Sequence, residues 1–479
     1  MSQFCGIQTR RFIFLNILVP ETIKARWSQQ NGYKHILYIA FPLILSTGSF
    51  SVQQFVDRMF LSWYSPDALA AAMPTSILSF TLISLFMGTS MYTSTFVAQY
   101  IGANRPERVG PAIWQGIYFS IIGGVVLALF SIFPDPIFKL IGHETNIQEL
   151  ESEYWVYLTI SGIFPIATGA MAGFFNGRGK TYPVMWASFV ATAVNIILNY
   201  CLIFGNFGLP EMGIGGAGLA TAISTMVNLI ILTSLVFNKK NDSTYFVIRG
   251  WRLENNLFKR LIRFGLPNGI QFFLDIAAFS AFILLIGRLG TTELAASNVA
   301  LNISMISFMP MIGLGITVSI LVGQSLGADN PDMANRATYS SLQISFAYMG
   351  TLAVLYLAIP NVFIYPFSAQ ADPVEFEAIK DLAIVAMRFV AGWSIFDSLA
   401  IIFSSGLKGA GDTKFIMFTI TILSLVLLII PTYLIVEVLE LGMTAVWSTG
   451  IIYVLGLGIA YYVRFKLGKW RKMRVIEKE

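Results

Sequence analysis

Residues 99–106 read Gln-Tyr-Ile-Gly-Ala-Asn-Arg-Pro, and residues 324–331 read Gln-Ser-Leu-Gly-Ala-Asp-Asn-Pro. The offset between the two stretches is 225 residues, and at this offset the halves of the chain align without a gap from Pro42 to Pro106. A later pair of Gly-x-Gly-x-Thr stretches, 177–181 and 409–413, repeats at an offset of 232. The chain therefore reads as a duplication of one unit.

The composition places this duplicated unit in a membrane. Of the 479 residues, 56% are hydrophobic and 12% are charged, and the mean hydropathy is +0.69. An average soluble domain has roughly 25% charged residues. The chain is therefore predicted to be a polytopic membrane protein, which excludes a disordered chain, a nucleic-acid-binding domain and a secreted disulfide scaffold.

The sequence also argues against an enzyme. It has two cysteines and two histidines, and no metal-ligand spacing, no phosphate-binding loop and no nucleophile elbow. We therefore expect neither an ATP-driven pump nor a metalloenzyme, and no cofactor. A signalling receptor on this scaffold has no positive support.

The apolar runs set the number of membrane spans. A bilayer core about 30 Å thick needs about 20 apolar residues per helix. Twelve such runs lie near residues 36–62, 73–101, 112–133, 154–175, 183–205, 214–237, 261–287, 297–323, 336–359, 382–405, 415–436 and 443–464. The predicted fold is an all-α polytopic membrane protein.

The basic residues give the orientation. With twelve spans, 26 of the 31 Lys and Arg residues fall at the termini and in the loops on their side. The positive-inside rule then places both termini in the cytoplasm of a plasma or bacterial inner membrane. Because the repeat offset covers six spans, both copies enter from the same side, as two parallel lobes related by a pseudo-twofold axis along the membrane normal. The predicted organisation is a cytoplasmic N-terminal tail at 1–34, an N-lobe at 35–237, a basic cytoplasmic linker at 238–260, a C-lobe at 261–464 and a basic cytoplasmic tail at 465–479.

Three acids stand inside predicted spans: Asp57, Asp275 and Asp397. An ionisable residue at membrane depth costs at least about 2.5 kcal/mol on insertion scales, so each acid is a functional candidate. The alternative is a structural acid that pairs with Arg58 or Arg388, or that lies at a wetted span end. Adjacent helix residues point about 100° apart, so Asp57 can face the protein while Arg58 turns outward.

The repeat indicates that these acids have separate roles, because none of them has an acidic counterpart in the other half. At the two offsets they align with Phe282, Phe50 and Pro165. Structural ion pairs would be expected in both copies. We therefore predict one site in the N-lobe and a two-acid site in the C-lobe.

Neutral oxygens accompany the N-lobe acid. Asn195 and Asn199 lie one turn apart on one helix face, and Thr221 is a further candidate. Carboxylate and amide oxygens suit a hard ion such as Na⁺, and a carboxylate also binds H⁺. The alternative for these amides is hydrogen bonding between helices. Pro42 and Pro267, near the starts of the first and seventh spans, are predicted conformational hinges.

Several motifs resemble the MATE (multidrug and toxic compound extrusion) transporters. They are Phe-Val-Asp at 55–57, Leu-Ala-Ala at 69–71, the Gln-Tyr-Ile-Gly-Ala stretch at 99–103, and Leu-Lys-Gly-Ala-Gly-Asp-Thr at 407–413. Asn195-Ile-Ile-Leu-Asn199-Tyr200 is similar to the NorM-like branch. Two features depart from that branch: Asp275 stands where Glu is usual, and Arg58 where Thr is usual.

The resemblance implies a function and a set of site residues. It implies a secondary antiporter that exports amphipathic, often cationic, organic compounds in exchange for Na⁺ or H⁺, by alternating access of two lobes. The coupling residues would be Asp57, Asn195, Asn199 and Thr221 in the N-lobe and Asp275 and Asp397 in the C-lobe, with Na⁺ bound at one of the three acids. We expect a monomer among membrane lipids. The alternative is a flippase for lipid-linked oligosaccharides in the same superfamily, which would have about fourteen spans and a cation-rich cavity.

Overall fold

Twelve helices long and apolar enough to cross a membrane make up most of the structure, a computed structural model that describes residues 26–368 and 373–477. No strand occurs within these residues. The helices are α1 (Tyr33–Tyr64), α2 (Pro66–Gly102), α3 (Pro106–Phe130), α4 (Thr145–Gly177), α5 (Tyr182–Phe204), α6 (Gly213–Val236), α7 (Asn255–Gly287), α8 (Thr291–Gly327), α9 (Pro331–Ala358), α10 (Phe376–Ala410), α11 (Thr413–Val438) and α12 (Met443–Lys466). The predicted helical class and the count of twelve spans are confirmed. Most of the predicted N-terminal tail, residues 1–25, lies outside the described residues.

Most helices are longer than the apolar runs that predicted them. α2 begins at Pro66, seven residues before its predicted start, because the Ser65 hydroxyl accepts hydrogen bonds from the backbone N–H groups of Asp67 (3.2 Å) and Ala68 (3.5 Å). Such a cap satisfies donors that have no partner in the first helical turn. The polar first turn therefore extends α2 beyond its apolar run.

Some helices are irregular. α2 is interrupted at Tyr92 and α4 at Gly162. α11 contains two π-helical stretches, Ser424–Ile429 and Leu434–Val438, on either side of a short α-helical segment. Short helices outside the spans are Pro134–Ile141, Lys239–Tyr245 within the predicted linker, and Pro360–Ile364.

Apolar clusters hold each half together. In the first half, a cluster from α1, α2, α4, α5 and α6 includes Phe60, Ala71 and Ile203. In the second half, a cluster from α8, α9, α10 and α12 includes Tyr356 and the fully buried Trp447. Between membrane helices such side chains stabilise the structure by van der Waals packing, and each six-helix unit has a core of its own.

The two halves meet through α1 with α8 and α2 with α7, two pairs that the repeat offset exchanges. A Cβ atom on Gly102 would lie 2.0 Å from the carbonyl oxygen of Gln324, and one on Gly327 would lie 2.1 Å from that of Gln99. Glycine is required at both positions because the backbones approach too closely for a side chain. These reciprocal contacts fit the expected pseudo-twofold relation.

The same two glutamines bind the Gly-x-Gly-x-Thr stretches of the opposite half. Gln99 Nε2 donates to the carbonyl of Gly409 (2.9 Å), and Gln324 Nε2 donates to that of Gly177 (2.8 Å). Tyr92 adds a hydroxyl bond to the carbonyl of Lys408 (2.7 Å). The ends of α2 and α8 therefore close the molecule at the side predicted to be cytoplasmic.

Candidate functional site

The polar candidates of the first half come together in one buried chain of hydrogen bonds between α1, α5 and α6. Asn199 Nδ2 donates to Asp57 Oδ1 and to Asn195 Oδ1 (3.0 Å). Asn195 Nδ2 donates in turn to Thr221 Oγ1 (3.5 Å). Asp57 is 5% exposed, and both asparagines are fully buried. The one-turn spacing of the asparagines, read from the sequence, aims both at the same partner helices.

Acceptor oxygens outnumber donors in this chain. The Asn199 Oδ1 atom is buried without a hydrogen-bond partner among the described residues. A buried carboxylate beside an unpaired carbonyl oxygen is costly unless something supplies a positive charge or a proton. Arg58 does not fill that role by contact: it is exposed and forms no ion pair with Asp57 within the described residues. The arrangement can therefore take up a proton or a small cation.

The candidates of the second half form a separate group. Asp275 Oδ2 accepts a hydrogen bond of 2.5 Å from Gln271 Nε2, one turn earlier on α7. Asp397 on α10 lies within electrostatic range of Asp275. Gln271 Oε1 is buried without a partner, so this site also has an unused acceptor. Among the described residues, no hydrogen bond or ion pair joins this group to Asp57.

Sequence reasoning missed four neighbours of the two-acid site. Lys408, read from the sequence as a loop residue, lies within α10 in electrostatic range of Asp275. The Tyr453 and Tyr461 side chains of α12 are buried and also interact with this acid. A lysine close to glycines resembles a turn, so only the helix length reveals its place. The only sequence signal for Gln271 is its spacing of four from Asp275.

The predicted hinge prolines both lie inside long helices. Pro42 is buried in α1 and Pro267 in α7. Just beyond Pro42, the Thr47 hydroxyl donates to the carbonyl of Met309 on α8 (3.2 Å). The proline therefore stands next to the contact between the halves, where a change in helix direction would move one half against the other.

The C-terminal segment, residues 468–477, crosses between the halves at the end where α2 meets α8. The Val475 N–H donates to Gln99 Oε1 (2.8 Å), and Arg260 Nε donates to the Val475 carbonyl (2.7 Å). Val475 and Ile476 are buried in a cluster with Phe96 and other residues of the first half. The sequence predicts a basic cytoplasmic tail here, and within it the two apolar residues pack against the protein.

Charged contacts fix the end of this C-terminal segment. Glu477 accepts from the Tyr100 hydroxyl (2.8 Å) and from Arg105 Nη2 (3.0 Å), and lies 3.4 Å from Arg108 Nε. Arg474 pairs with Asp329 at 2.8 Å. Burial of Glu477 opposes its ionisation, but these hydrogen bonds and arginines outweigh burial and lower the pKa of its carboxyl.

Comparison with known proteins identifies a family. The model of the MatE family matches residues 42–201 and 267–434, which is one match in each half. The probable multidrug resistance protein NorM of Mesorhizobium japonicum is 27% identical over 403 residues, covering 82% of this chain and 84% of the relative.

Solved structures share the fold. The outward-facing conformation of a multidrug resistance MATE family transporter of the MOP superfamily has a TM-score of 0.83 at 21% identity, covering 92% of this chain and 97% of the other. A MOP superfamily transporter from Pyrococcus furiosus has a TM-score of 0.82 at 21% identity, with the same coverage.

Proposed function

The chain belongs to the MatE family, and from this premise we propose that it is a secondary antiporter that exports amphipathic organic compounds in exchange for Na⁺ or H⁺. The observation that carries the proposal is the buried Asp57–Asn199–Asn195–Thr221 chain. An acid with an unpaired acceptor beside it is a place to bind and release a coupling ion. The curated relatives are named as multidrug resistance proteins, and these names support the proposal of a broad range of substrates.

The proposed cycle uses the contact between the two lobes. The halves touch at the ends of α2 and α8, predicted to be cytoplasmic, so this arrangement corresponds to access from outside. Cation or proton binding at Asp57 neutralises the carboxylate and removes the need for its hydrogen bond from Asn199. Because α1 carries both Asp57 and Pro42, occupancy of the acid can change how α1 bends against α8.

The second acid pair would have a separate part in the cycle. Asp275 and Asp397 form a cation site in the C-lobe, with Na⁺ or the cationic group of a substrate as occupant. Lys408 supplies a positive charge near this site, and this charge and a bound cation would repel each other. In this proposal the protein acts as a monomer in the inner or plasma membrane, with both termini in the cytoplasm.

Dye efflux from proteoliposomes tests the proposal, with Na⁺ and pH gradients imposed separately. Asp57→Asn should abolish gradient-driven efflux, because the amide neither binds a cation by charge nor exchanges a proton. Asp381→Asn, which changes an exposed acid of α10, is the matched control and should transport normally. Wild-type transport by a folded Asp57→Asn protein would contradict the proposed coupling role.

A further inference from the structure

The connection between α6 and α7 lies along α3 in its middle part, residues 246–253, which we call the linker segment. These residues are not helical. Side chains of α3 hold the backbone of the segment by donating to three of its carbonyl oxygens: Trp114 to Val247 (2.7 Å), Gln115 to Arg252 (3.3 Å) and Tyr118 to Trp251. The segment is therefore attached to the first half, although it leads into the second.

The linker segment covers the end of the lipid-facing side of α3. Trp114 and Tyr118 share one face of this helix with exposed apolar residues farther along it: Ile121, Ile122, Val125 and Leu129. At about 100° per residue, all six positions fall within an arc of about 100°. Exposed apolar side chains in the middle of a membrane span contact lipid tails, which are as apolar as leucine. The segment therefore lies at the outer perimeter of the first half.

The depth of the linker segment corresponds to the edge of the bilayer. A Cβ atom on Gly110 would lie 2.2 Å from the Phe246 carbonyl oxygen, and the apolar run of α3 begins near residue 112. Helical side chains lean toward the N-terminus of their helix, so Trp114 and Tyr118 reach back to the same level. The segment thus lies where α3 leaves the hydrocarbon, in the layer where tryptophan and tyrosine are enriched in membrane proteins.

The outer surface of the linker segment is apolar. Ile248, Trp251 and Leu253 are 45%, 59% and 55% exposed. Large apolar side chains are costly in water, and this cost disappears when they enter the boundary between headgroups and acyl chains. The three side chains therefore suit contact with the lipid of this leaflet.

The charge of the surrounding connection is positive, because both of its acids are already bound. Asp242 accepts from Arg249 Nε (2.9 Å), and Glu254 accepts from two nitrogens of Arg108 (3.0 and 2.7 Å). Arg252 stands between two of the exposed apolar residues, and its guanidinium is exposed and has no ion pair in the described part of the chain. A guanidinium at the headgroup layer offers planar donors to phosphate oxygens.

We propose that the linker segment is a binding site for an anionic phospholipid. Arg252 binds the lipid phosphate, while Ile248, Trp251 and Leu253 lie against the upper part of the acyl chains. Anionic lipid is preferred to zwitterionic lipid, since neither acid of the connection is left to pair with a cationic headgroup. The proposal depends on the membrane fold and not on the proposed transport reaction.

Quenching by labelled lipids tests the site. Ile248→Cys carries an NBD fluorophore, in a full-length protein whose Cys5 and Cys201 are changed to serine and alanine. The protein is placed in phosphatidylcholine nanodiscs that contain a fixed fraction of nitroxide-labelled phosphatidylglycerol or nitroxide-labelled phosphatidylcholine. Both lipids should quench, and phosphatidylglycerol should quench more strongly. Arg252→Gln should lower the preference for phosphatidylglycerol about fivefold, the effect of one basic residue at an anionic surface.

Two further variants separate a lipid site from a general effect of charge. Arg252→Lys keeps the positive charge and should retain most of the preference. Lys414→Gln removes an exposed basic residue near the start of α11, in the other half, and should leave the preference unchanged.

The outcomes decide the proposal. Absence of quenching by either lipid would place the linker segment in water and overturn it. Equal quenching by both lipids in the parent protein, or an equal loss of preference in Arg252→Gln and Lys414→Gln, would also overturn it. A preference that is lost in Arg252→Gln but kept in Arg252→Lys and Lys414→Gln supports the site.

Discussion

The C-terminal segment should hold the two lobes together, and Val475→Ala tests its strength. Val475 is fully buried in a cluster with Phe96 and Tyr100 of the first half, and its backbone N–H donates to Gln99 of that half. The change removes two carbons, worth about 0.8 kcal/mol each, or about 1.6 kcal/mol. Because this contact exists only while the halves are closed at this end, the ratio of closed to open molecules should fall more than tenfold.

Distances between spin labels measure this ratio. Cysteines that replace the exposed Lys180 and Arg336 report on the two halves, in a protein whose natural Cys5 and Cys201 are changed to serine and alanine. Pulsed electron resonance should show a longer-distance population for Val475→Ala. Val463→Ala makes the same chemical change at an exposed position of α12 and should match the parent protein.

Two results would refute this reasoning about the C-terminal segment. The first is an unchanged distance distribution for Val475→Ala under conditions in which the transporter turns over. The second is an equal shift for Val475→Ala and the exposed control, since the effect would then come from general loosening of the protein. Either result would mean that Gln99 and Gln324 close this end without help from the C-terminal segment.

The same labels serve two further predictions. Gly102→Ala places a Cβ 2.0 Å from the Gln324 carbonyl oxygen, and overpacking of this kind typically costs about 1–3 kcal/mol, so this variant should open the end. Gly350→Ala, whose added Cβ would have nothing within 4 Å, should not open it. Matching distances for the two variants would count against the close contact. The lowered pKa of Glu477 means that its carboxylate stabilises the closed end above the ordinary glutamate pKa, and that this contribution is lost as pH falls through the lowered value. The closed population should therefore not depend on Glu477 ionisation between about pH 6 and 8, whereas Glu477→Gln should reduce it at neutral pH; a Glu477-dependent change within that range would contradict the assignment.

The fold could be predicted from the sequence because membrane helices are recognisable as long apolar runs. The ends of the helices could not, since Ser65 caps α2 through a local hydrogen bond that hydropathy does not record. Within the site, the spacing of Asn195 and Asn199 was readable as one helix face. Their contact with Asp57 depends on how α5 packs against α1, which the spacing alone does not give.

The packing of Lys408 and of the C-terminal segment could not be predicted for a related reason. Charge counting treats every lysine and arginine outside an apolar run as solvated, and it predicts orientation from the sum over many residues. It fails for a single residue whose helix extends beyond the apolar run. In the tail, Val475 and Ile476 are too short a signal beside many basic residues, although their burial anchors the segment.

The repeat explains how a symmetric scaffold can carry an asymmetric cycle. The contacts that close one end are duplicated: Gly102 with Gln324 is matched by Gly327 with Gln99. The buried acids are not duplicated, and the C-terminal segment exists once. The closing contacts therefore involve both lobes alike. The two influences on closure that we propose come from one lobe each: Asp57 acts through α1, and the C-terminal segment of the second lobe inserts into the first. Both would act on the same contact between the lobes. Ion binding in the first lobe would then work against a fixed contact that the second lobe supplies.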